Sequence, residues 1–289
     1  MYRIGPDWAP TQQQVEDGLE ALRFVPCGTH EEKSVGWVEP RGEAHGPLVE
    51  VVSGQLILKL KLESKVVPGA VVTRKAKERA AQIEATTGRK PGKKETREIK
   101  DDIRLSLMPM AFSKEATVWV WIDPQARLLV LDAGSQAKAD EVVTHLVKSL
   151  DGLNLNLINT QVSPIAAMAD WLLTQEAPAS FSVDRDCELK AADESKAVVR
   201  YARHALDTDE VKQHVKDGKL PTRLAMTWSG RVSFMLTEGM QLKKLDFLDV
   251  VLDDVSDKGF DTDVAIATGE LRKLLPDLLD ALGGEMALA

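Results

Sequence analysis

The sequence predicts an α+β protein in which antiparallel β-hairpins are flanked by helices. Two observations support this fold class. Short apolar segments meet in pairs across turn signals at three places, which is typical of antiparallel rather than parallel strands. Near the C-terminus, leucines repeat from Leu271 to Leu282 at the three- and four-residue spacing of a helix. We therefore expect sheets built from hairpins, with helices packed beside them.

Each predicted hairpin has a turn signal between two apolar segments. The hairpins are 49–52 with 56–62 across Ser53-Gly54, 118–122 with 128–131 across Asp123-Pro124, and a stretch ending at Trp228 with 232–236 across Ser229-Gly230. Within 56–62 leucine alternates with other residues, so one apolar row faces a core. Lys59 and Lys61 then lie on the opposite face of that strand.

Three helices have start or stop signals. Ser163-Pro164 begins one that reaches about Thr174, and another runs from Asp207 or Thr208 to Gly218. The C-terminal leucine stripe forms the third, which Pro276 interrupts or kinks. This stripe faces either the core of its own domain, the more usual arrangement, or an oligomer contact.

A strongly basic segment stands out in an acidic chain. Between Arg74 and Arg104 eleven basic residues face six acidic ones, a net charge of +5 in a chain of net charge −8, so the remainder carries −13. Good helix formers on both sides of Thr86-Thr87-Gly88 predict a charged helical hairpin over 73–108. We expect it to project, because it offers few large apolar residues for burial. A solvated surface hairpin without a binding role is the alternative.

The domain organisation follows from these elements. We predict an N-terminal α+β region over 1–160, which carries the charged hairpin, and a C-terminal α+β region over 161–289.

Composition narrows the class of protein. A hydrophobic fraction of 44% is enough for a sizeable core, while no apolar run approaches the ~18 residues that cross a bilayer and no export signal is evident. We expect a cytoplasmic protein without a membrane partner. Cys27 and Cys187 are too few for a disulfide framework, so we predict reduced, buried thiols. The negative net charge does not exclude a protein that binds nucleic acid, because charges are screened beyond ~8 Å at physiological salt.

Motifs for catalysis or metal binding are incomplete. The run 88–94 has three residues between its glycines where a phosphate loop needs four. The acidic run 253–259 has Lys258 where a calcium loop requires glycine, and Val264 where it requires glutamate. Carboxylates and a lysine also occur over 184–190, which we interpret as a polar connecting stretch with spacing too loose for a nuclease. The histidines lack metal-ligand spacing, so we predict no enzyme, no cofactor and no metal site.

Several stretches carry a resemblance that extends along nearly the whole chain. In the N-terminal half they are Phe24-Val25-Pro26-Cys27-Gly28, Gly36-Trp37-Val38, Leu107-Met108-Pro109-Met110-Ala111-Phe112-Ser113 and Trp121-Ile122-Asp123. In the C-terminal half they are Trp171, Glu188-Leu189-Lys190, Gly218-Lys219, Phe260-Asp261-Thr262-Asp263, Thr268-Gly269-Glu270-Leu271 and Gly283-Gly284-Glu285. With these residues the sequence resembles the RdgC family of recombination-associated proteins. It departs from that pattern before Tyr2-Arg3, where the family has a lead strand, so the outer part of the N-terminal sheet is left open.

The resemblance implies a function. It implies a ring-shaped homodimer with a positively charged inner wall, which binds single- and double-stranded DNA with little sequence preference in the bacterial nucleoid. It also implies restraint of RecA-driven strand exchange. A protein-interaction module that inhibits RecA by direct contact, with the charged hairpin as its docking arm, is the rival from another class. A nuclease using the 184–190 carboxylates is a third alternative.

The predicted DNA-binding residues are basic side chains of the charged hairpin and of the 200–223 region. They are Lys75, Lys77, Arg89, Lys90, Lys93, Lys94, Arg97, Arg200, Arg203, His204, Lys219 and Arg223. The resemblance places Arg200, Arg203 and His204 on the inner wall, although a neutral polar residue is usual at the histidine. It also assigns Phe112 to ring closure, with a core phenylalanine at a helix end as the alternative. Lys219 and Arg223 are weaker candidates, because a lysine after a helix stop often interacts with the helix dipole.

Overall fold

The computed structural model describes residues 1–252 and 259–287. The chain divides into two compact units, one formed by residues 4–155 and the other by residues 1–3 with 156–289. Both units combine helices with antiparallel strand pairs, which confirms the predicted α+β class.

The unit of residues 4–155 is built around a long central hairpin. Its strands, with those at its boundaries, are β1 (Tyr2–Ile4), β2 (Lys33–Val38), β3 (Val49–Val52), β4 (Gln55–Val66), β5 (Phe112–Asp123), β6 (Leu128–Leu131) and β7 (Leu155–Leu157). Its helices are α1 (Gln12–Glu20), α2 (Gly69–Thr87), α3 (Lys93–Leu107) and α4 (Gln136–Ser149), with a 3₁₀ turn at Met108–Met110. Within this unit the sheet has the order β2-β4-β5-β6, and β3 also pairs with β4.

Two predicted hairpins are confirmed in this sheet. β3 and β4 are joined at Ser53 and Gly54, whose φ angles of 51° and 78° are those of a tight hairpin turn. β5 and β6 are joined by a turn in which a carboxylate oxygen of Asp123 accepts the N–H groups of Gln125 and Ala126, each at 3.0 Å.

The predicted alternation of β4 is also confirmed. Leu56, Leu58, Leu60 and Leu62 are at most 9% exposed, so they form the apolar row that faces the core. Trp37 of β2 is fully buried, and its ring N–H donates to the Ser149 hydroxyl at 2.7 Å. The buried ring N–H of Trp37 thereby has a hydrogen-bond partner.

The other unit contains the second sheet. Its strands are β8 (Phe181–Ala191), β9 (Val198–Tyr201), β10 (Lys219–Trp228), β11 (Val232–Thr237) and β12 (Leu242–Phe247), in the antiparallel order β12-β11-β10-β8-β9. Its helices are α5 (Pro164–Thr174), α6 (Asp209–Lys216), α7 (Asp249–Leu252) and α8 (Phe260–Ala281). The predicted hairpin at Ser229-Gly230 joins β10 to β11, and Trp228 pairs with Val232.

The helices of this unit begin where the sequence predicts. The Ser163 and Thr208 hydroxyls accept the N–H groups of Ala166 and Val211, so they cap α5 and α6. The core interpretation of the C-terminal leucines is confirmed, since Leu274, Leu278 and Leu282 are fully buried.

Helix α8 continues through Pro276, so an interruption there is wrong, while a kink at this residue stays a prediction. Proline removes one N–H donor from the helix interior. Burial of Leu274 and Leu278 on either side compensates for that loss.

Over residues 1–252 and 259–287, no helix combines the length and the apolar character required to cross a membrane.

Candidate nucleic-acid interface

The first group of predicted DNA-binding side chains lies on α2, α3 and the turn between them. Gly88 ends α2 with a left-handed φ of 70°, and its N–H donates to the Glu84 carbonyl at 2.8 Å. Helix α2 buries only Val72 and Ala76, and α3 buries no residue. The basic side chains of these two helices are therefore exposed to water.

Two of these seven basic side chains are paired locally. Arg89 Nη1 lies 2.7 Å from Glu95 Oε2, and this hydrogen bond raises the pKa of Arg89 while lowering the pKa of Glu95. Lys90 Nζ lies 3.8 Å from Glu84 Oε1. The other five have no carboxylate within 4.0 Å among the residues that the structure describes: Lys75, Lys77, Lys93, Lys94 and Arg97. These five charges remain available to an external anion.

The second group is organised by Glu188 on β8. In the strand register Glu188 lies opposite Arg200 of β9 and Arg223 of β10. Arg200 Nε donates to Glu188 Oε2 at 2.6 Å, Arg223 Nε lies 3.8 Å from Oε1, and the Thr222 hydroxyl donates to Oε1 at 2.8 Å. The bond from Arg200 is the largest cause of the lowered pKa of Glu188. One carboxylate thus holds two mostly exposed guanidinium groups on the same sheet face.

Arg203 and His204 follow β9 in an exposed loop. Arg203 has a positive φ of 54°, and its backbone N–H donates to Asp186 Oδ1 at 2.7 Å. The backbone N–H of His204 donates to the Arg185 carbonyl at 3.0 Å, and its ring centroid lies 5.3 Å from that of Tyr201. Both side chains are fixed at their base and exposed at their end.

Lys219 is less accessible than the arginines. It is half-buried, and its ammonium donates to His214 Nδ1 at 2.8 Å. Beside it the Tyr201 hydroxyl donates to Glu210 at 2.9 Å, and burial together with this bond raises the pKa of Tyr201 to about 12. Lys219 therefore already has a partner within its own unit.

Phe112 is the first residue of β5 and is 88% exposed. The alternative that it is a core residue at a helix end is wrong, because α3 ends at Leu107 and the 3₁₀ turn separates it from Phe112. Val66, which pairs with Phe112 across β4 and β5, is 47% exposed, and Met110 is 73% exposed. Val66, Met110 and Phe112 are thus exposed apolar side chains near one end of the β4–β5 pair.

The carboxylates over 184–190 lie on strand β8, so the predicted connecting stretch is wrong. Charged residues alternate there with buried Cys187 and Leu189, a period of two that indicates a half-buried strand. Asp184 accepts the Thr227 hydroxyl at 2.8 Å, and Asp186 accepts the Arg203 N–H. Within the described ranges, no cluster of three or more His, Cys, Asp or Glu side chains is placed to hold a metal ion. Residues 253–258 of the acidic run considered for calcium lie outside the described residues.

Both cysteines are free thiols, as predicted. Burial raises the pKa of Cys187 to about 12, which disfavours its reactive thiolate form. Cys27 is half-buried rather than buried, and its backbone N–H donates to the Glu63 carboxylate at 2.8 Å.

Sequence reasoning missed the role of Glu188 as the common partner of two arginines. The available signal was the period of two in 181–191, which predicts a strand and therefore places alternate charged residues on one face. The partner strands that complete the row are distant in sequence, so no local pattern identifies them.

Comparisons with known proteins cover the chain nearly from end to end. A family model described as "Putative exonuclease, RdgC" matches residues 1–285. Proteins named "Recombination-associated protein RdgC" are similar throughout: that of Herminiimonas arsenicoxydans is 45% identical, with 99% of this chain and 97% of the relative covered. The relative from Dechloromonas aromatica is 44% identical, with 100% of this chain and 97% of the relative covered. The relative from Bordetella pertussis is 44% identical, with 99% of this chain and 97% of the relative covered. These relatives are named for recombination and not for an enzyme activity. A match of this extent and identity shows that the chain belongs to the RdgC family.

Proposed function

We propose that this protein binds single- and double-stranded DNA through the phosphate backbone, without reading base sequence. The observation that carries the proposal is the set of five exposed cations on α2 and α3 that have no carboxylate within 4.0 Å among the described residues. The row formed by Arg200, Glu188 and Arg223 supports it, since it presents two guanidinium groups on one sheet face. Cations that contact phosphates release counterions, which gives affinity but no sequence preference.

We further propose that two copies form a ring around DNA and thereby restrain RecA-mediated recombination in the nucleoid. Membership of a family named for recombination supports this role. The exposed apolar surface at Val66, Met110 and Phe112 supports self-association, because burial of such side chains against a second copy is favourable. In this account RecA is restrained by occupied DNA, and capture of RecA in the absence of DNA is not expected.

We propose no nuclease step for the 184–190 carboxylates. Asp184, Asp186 and Glu188 are each engaged by donors of their own unit, namely the Thr227 hydroxyl, the Arg203 N–H and the Arg200 guanidinium. These bonds orient the carboxylates toward protein groups and stabilise the sheet face.

Replacing Lys93, Lys94 and Arg97 together by glutamate tests the DNA-binding proposal. We expect the dissociation constant for any duplex at 0.1 M salt to rise by a factor of about 100 or more, because three phosphate contacts become repulsive. Fluorescence anisotropy with labelled duplexes measures the change. The matched control replaces Arg127, Lys138 and Lys148 by glutamate, which changes the net charge equally. Equal losses in the two variants would mean that α3 makes no specific contribution, and the proposal would be wrong.

A further inference from the structure

In the sheet of the unit formed by residues 4–155, the ammonium groups of two lysines lie over aromatic rings. Lys59 and Lys61 lie on β4, on the face opposite the buried leucine row. Lys59 Nζ is 4.5 Å from the centroid of the Trp119 ring, and Lys61 Nζ is 4.9 Å from the centroid of the Phe24 ring. Both distances are within the range of cation–π attraction. We call Lys59 and Lys61 the ring-seated lysines.

The backbone arrangement explains both contacts. Lys59 lies directly opposite Trp119 in the pairing of β4 with β5, and Lys61 lies opposite Gly36 in the pairing of β4 with β2. A Cβ atom at Gly36 would lie 2.4 Å from the Phe24 Cα, so only glycine allows the chain at Phe24 to pass there. This close approach places the Phe24 ring beside Lys61.

Both ring-seated lysines are half-buried, and they differ in their neighbouring charges. Lys59 has no carboxylate within 4.0 Å in the part of the chain that the structure describes. Lys61 has a side chain that is 24% exposed, and its Nζ lies 2.9 Å from Glu115 Oε2, whose side chain is 56% exposed. A phosphate would have to displace Glu115 from this pair, which costs little because such pairs contribute little to stability. Glu63, two residues further along β4, is engaged by the Cys27 N–H and the Ser113 hydroxyl.

Lys65, at the end of the same row, is different. Its ammonium donates to the carbonyl oxygens of Gly28 and Thr29 at 2.5 and 2.9 Å. It therefore holds the loop after Phe24 in place and is not free for an external ligand.

The spacing of the ring-seated lysines and their contacts with the two rings suit a phosphate backbone. Alternate residues of a strand lie about 6.6 Å apart on one face, which is comparable with the separation of neighbouring phosphates along one nucleic-acid strand. A free lysine loses rotamer entropy when it binds an anion. A lysine already held on a ring loses less, so each contact is worth more.

We propose that Lys59 and Lys61 form a further phosphate-binding pair for DNA, with Trp119 and Phe24 as positioning residues. The inference rests on the proposed DNA-binding function and adds two contacts outside the α2–α3 cations and the arginine row. The alternative is that the aliphatic parts of the two lysine side chains cover the apolar rings and that neither lysine contacts DNA.

The salt dependence of DNA binding distinguishes a phosphate-binding role of these lysines from a role in covering the rings. We expect the double variant Lys59→Gln/Lys61→Gln to reduce the magnitude of the slope of log affinity against log salt on duplex DNA by about 1.8, which is two contacts at 0.9 each. The matched control, Lys138→Gln/Lys148→Gln, removes two lysines of α4 and should leave the slope unchanged. Near-ultraviolet circular dichroism checks that both variants fold. A double variant with the slope of the wild type overturns the inference.

The positioning role has its own test. Trp119→Leu keeps both charges, so the slope should stay the same while affinity falls about two- to fivefold, the equivalent of a cation–π contact at an exposed site. Trp119→Phe retains a ring and should restore the affinity. Unchanged affinity in Trp119→Leu would contradict the positioning role.

These outcomes are separable from failure of the proposed function. If the wild-type protein shows no salt-dependent binding, DNA binding itself is wrong. If the wild type binds with a steep slope and the double variant has the same slope, only the ring-seated lysines are wrong.

Discussion

Glu270 shows how a buried carboxylate is stabilised in this protein. It lies on α8, its side chain is 8% exposed, and both of its oxygens accept from the Arg231 guanidinium, at 2.7 and 2.8 Å. This hydrogen bonding is the largest cause of the lowered pKa of the Glu270 carboxyl. The pair connects the turn after β10 to α8, two segments distant in sequence.

Replacing Glu270 by glutamine should lower the thermal midpoint at pH 7 by about 2–4 °C, because the charge-assisted bonds to Arg231 are lost. A carboxyl with a lowered folded-state pKa contributes stability above its unfolded pKa, and the contribution disappears as the pH falls through the folded pKa. The difference in thermal midpoint between wild type and variant should therefore be constant above about pH 4.5 and should disappear at lower pH. Thermal unfolding followed by circular dichroism measures it.

Glu238→Gln is the control, since Glu238 is exposed. A difference for Glu270→Gln that persists unchanged to pH 2 would show that the charge of Glu270 does not stabilise the fold.

Residue types could be predicted from the sequence, but their partners could not. The basic composition of 74–104 identifies candidates for phosphate contacts, yet Arg89 is paired with Glu95 while Lys93 is free of carboxylates among the described residues. Likewise Lys219 is bonded to His214 across the turn after α6. Pairing depends on side-chain geometry, which composition and spacing do not contain.

At the scale of elements, the sequence predicts hairpins well because their signals are local. Turn residues and alternating apolar residues lie within a few positions of each other, as at Ser53-Gly54 between β3 and β4. Helix α1 was not predicted, although Thr11 and Gln14 form a capping box that identifies its start. Helix α4 begins at the N-cap Ser135, a signal that was equally available.

Gly36 makes the crossing of β2 by the Phe24 segment possible, so Gly36→Ala should be costly. The new Cβ would lie 2.4 Å from the Phe24 Cα and 2.6 Å from its nitrogen, and backbone atoms cannot move aside cheaply. We expect a loss of about 1–3 kcal/mol in the free energy of unfolding, measured by urea denaturation. Gly69→Ala, with nothing within 4 Å of the added atom, is the matched control. Equal stability of the two variants would mean that the close approach is not maintained in solution.

For the whole molecule, the exposed Phe112 predicts self-association. Phe112→Ser should lower the sedimentation coefficient at micromolar concentration, because about 2 kcal/mol of apolar burial is lost from each copy and the ring no longer closes at this contact. The thermal midpoint of the isolated chain should change little, since Phe112 is 88% exposed. Val25→Ser, at a residue that is 68% exposed, is the control. An unaltered sedimentation coefficient for Phe112→Ser would exclude Phe112 from the contact.

For the whole molecule, the proposed DNA binding depends on where the charges lie and not on the net charge. A net charge of −8 coexists with a segment of +5 on two exposed helices. The sequence alone identifies this polarity because charges are counted directly. It does not identify the row of Arg200, Glu188 and Arg223, since three strands have to pair before that row exists.

The most direct test measures affinity for two duplexes of equal length and composition but scrambled sequence between 50 and 200 mM salt. With only the five cations of α2 and α3 that are unpaired among the described residues in contact with phosphates, affinity should fall about 500-fold over this range, and further contacts steepen the fall. Affinity should be the same for both sequences at every salt concentration. A flat salt response, or a clear preference for one sequence, would contradict binding through the phosphate backbone.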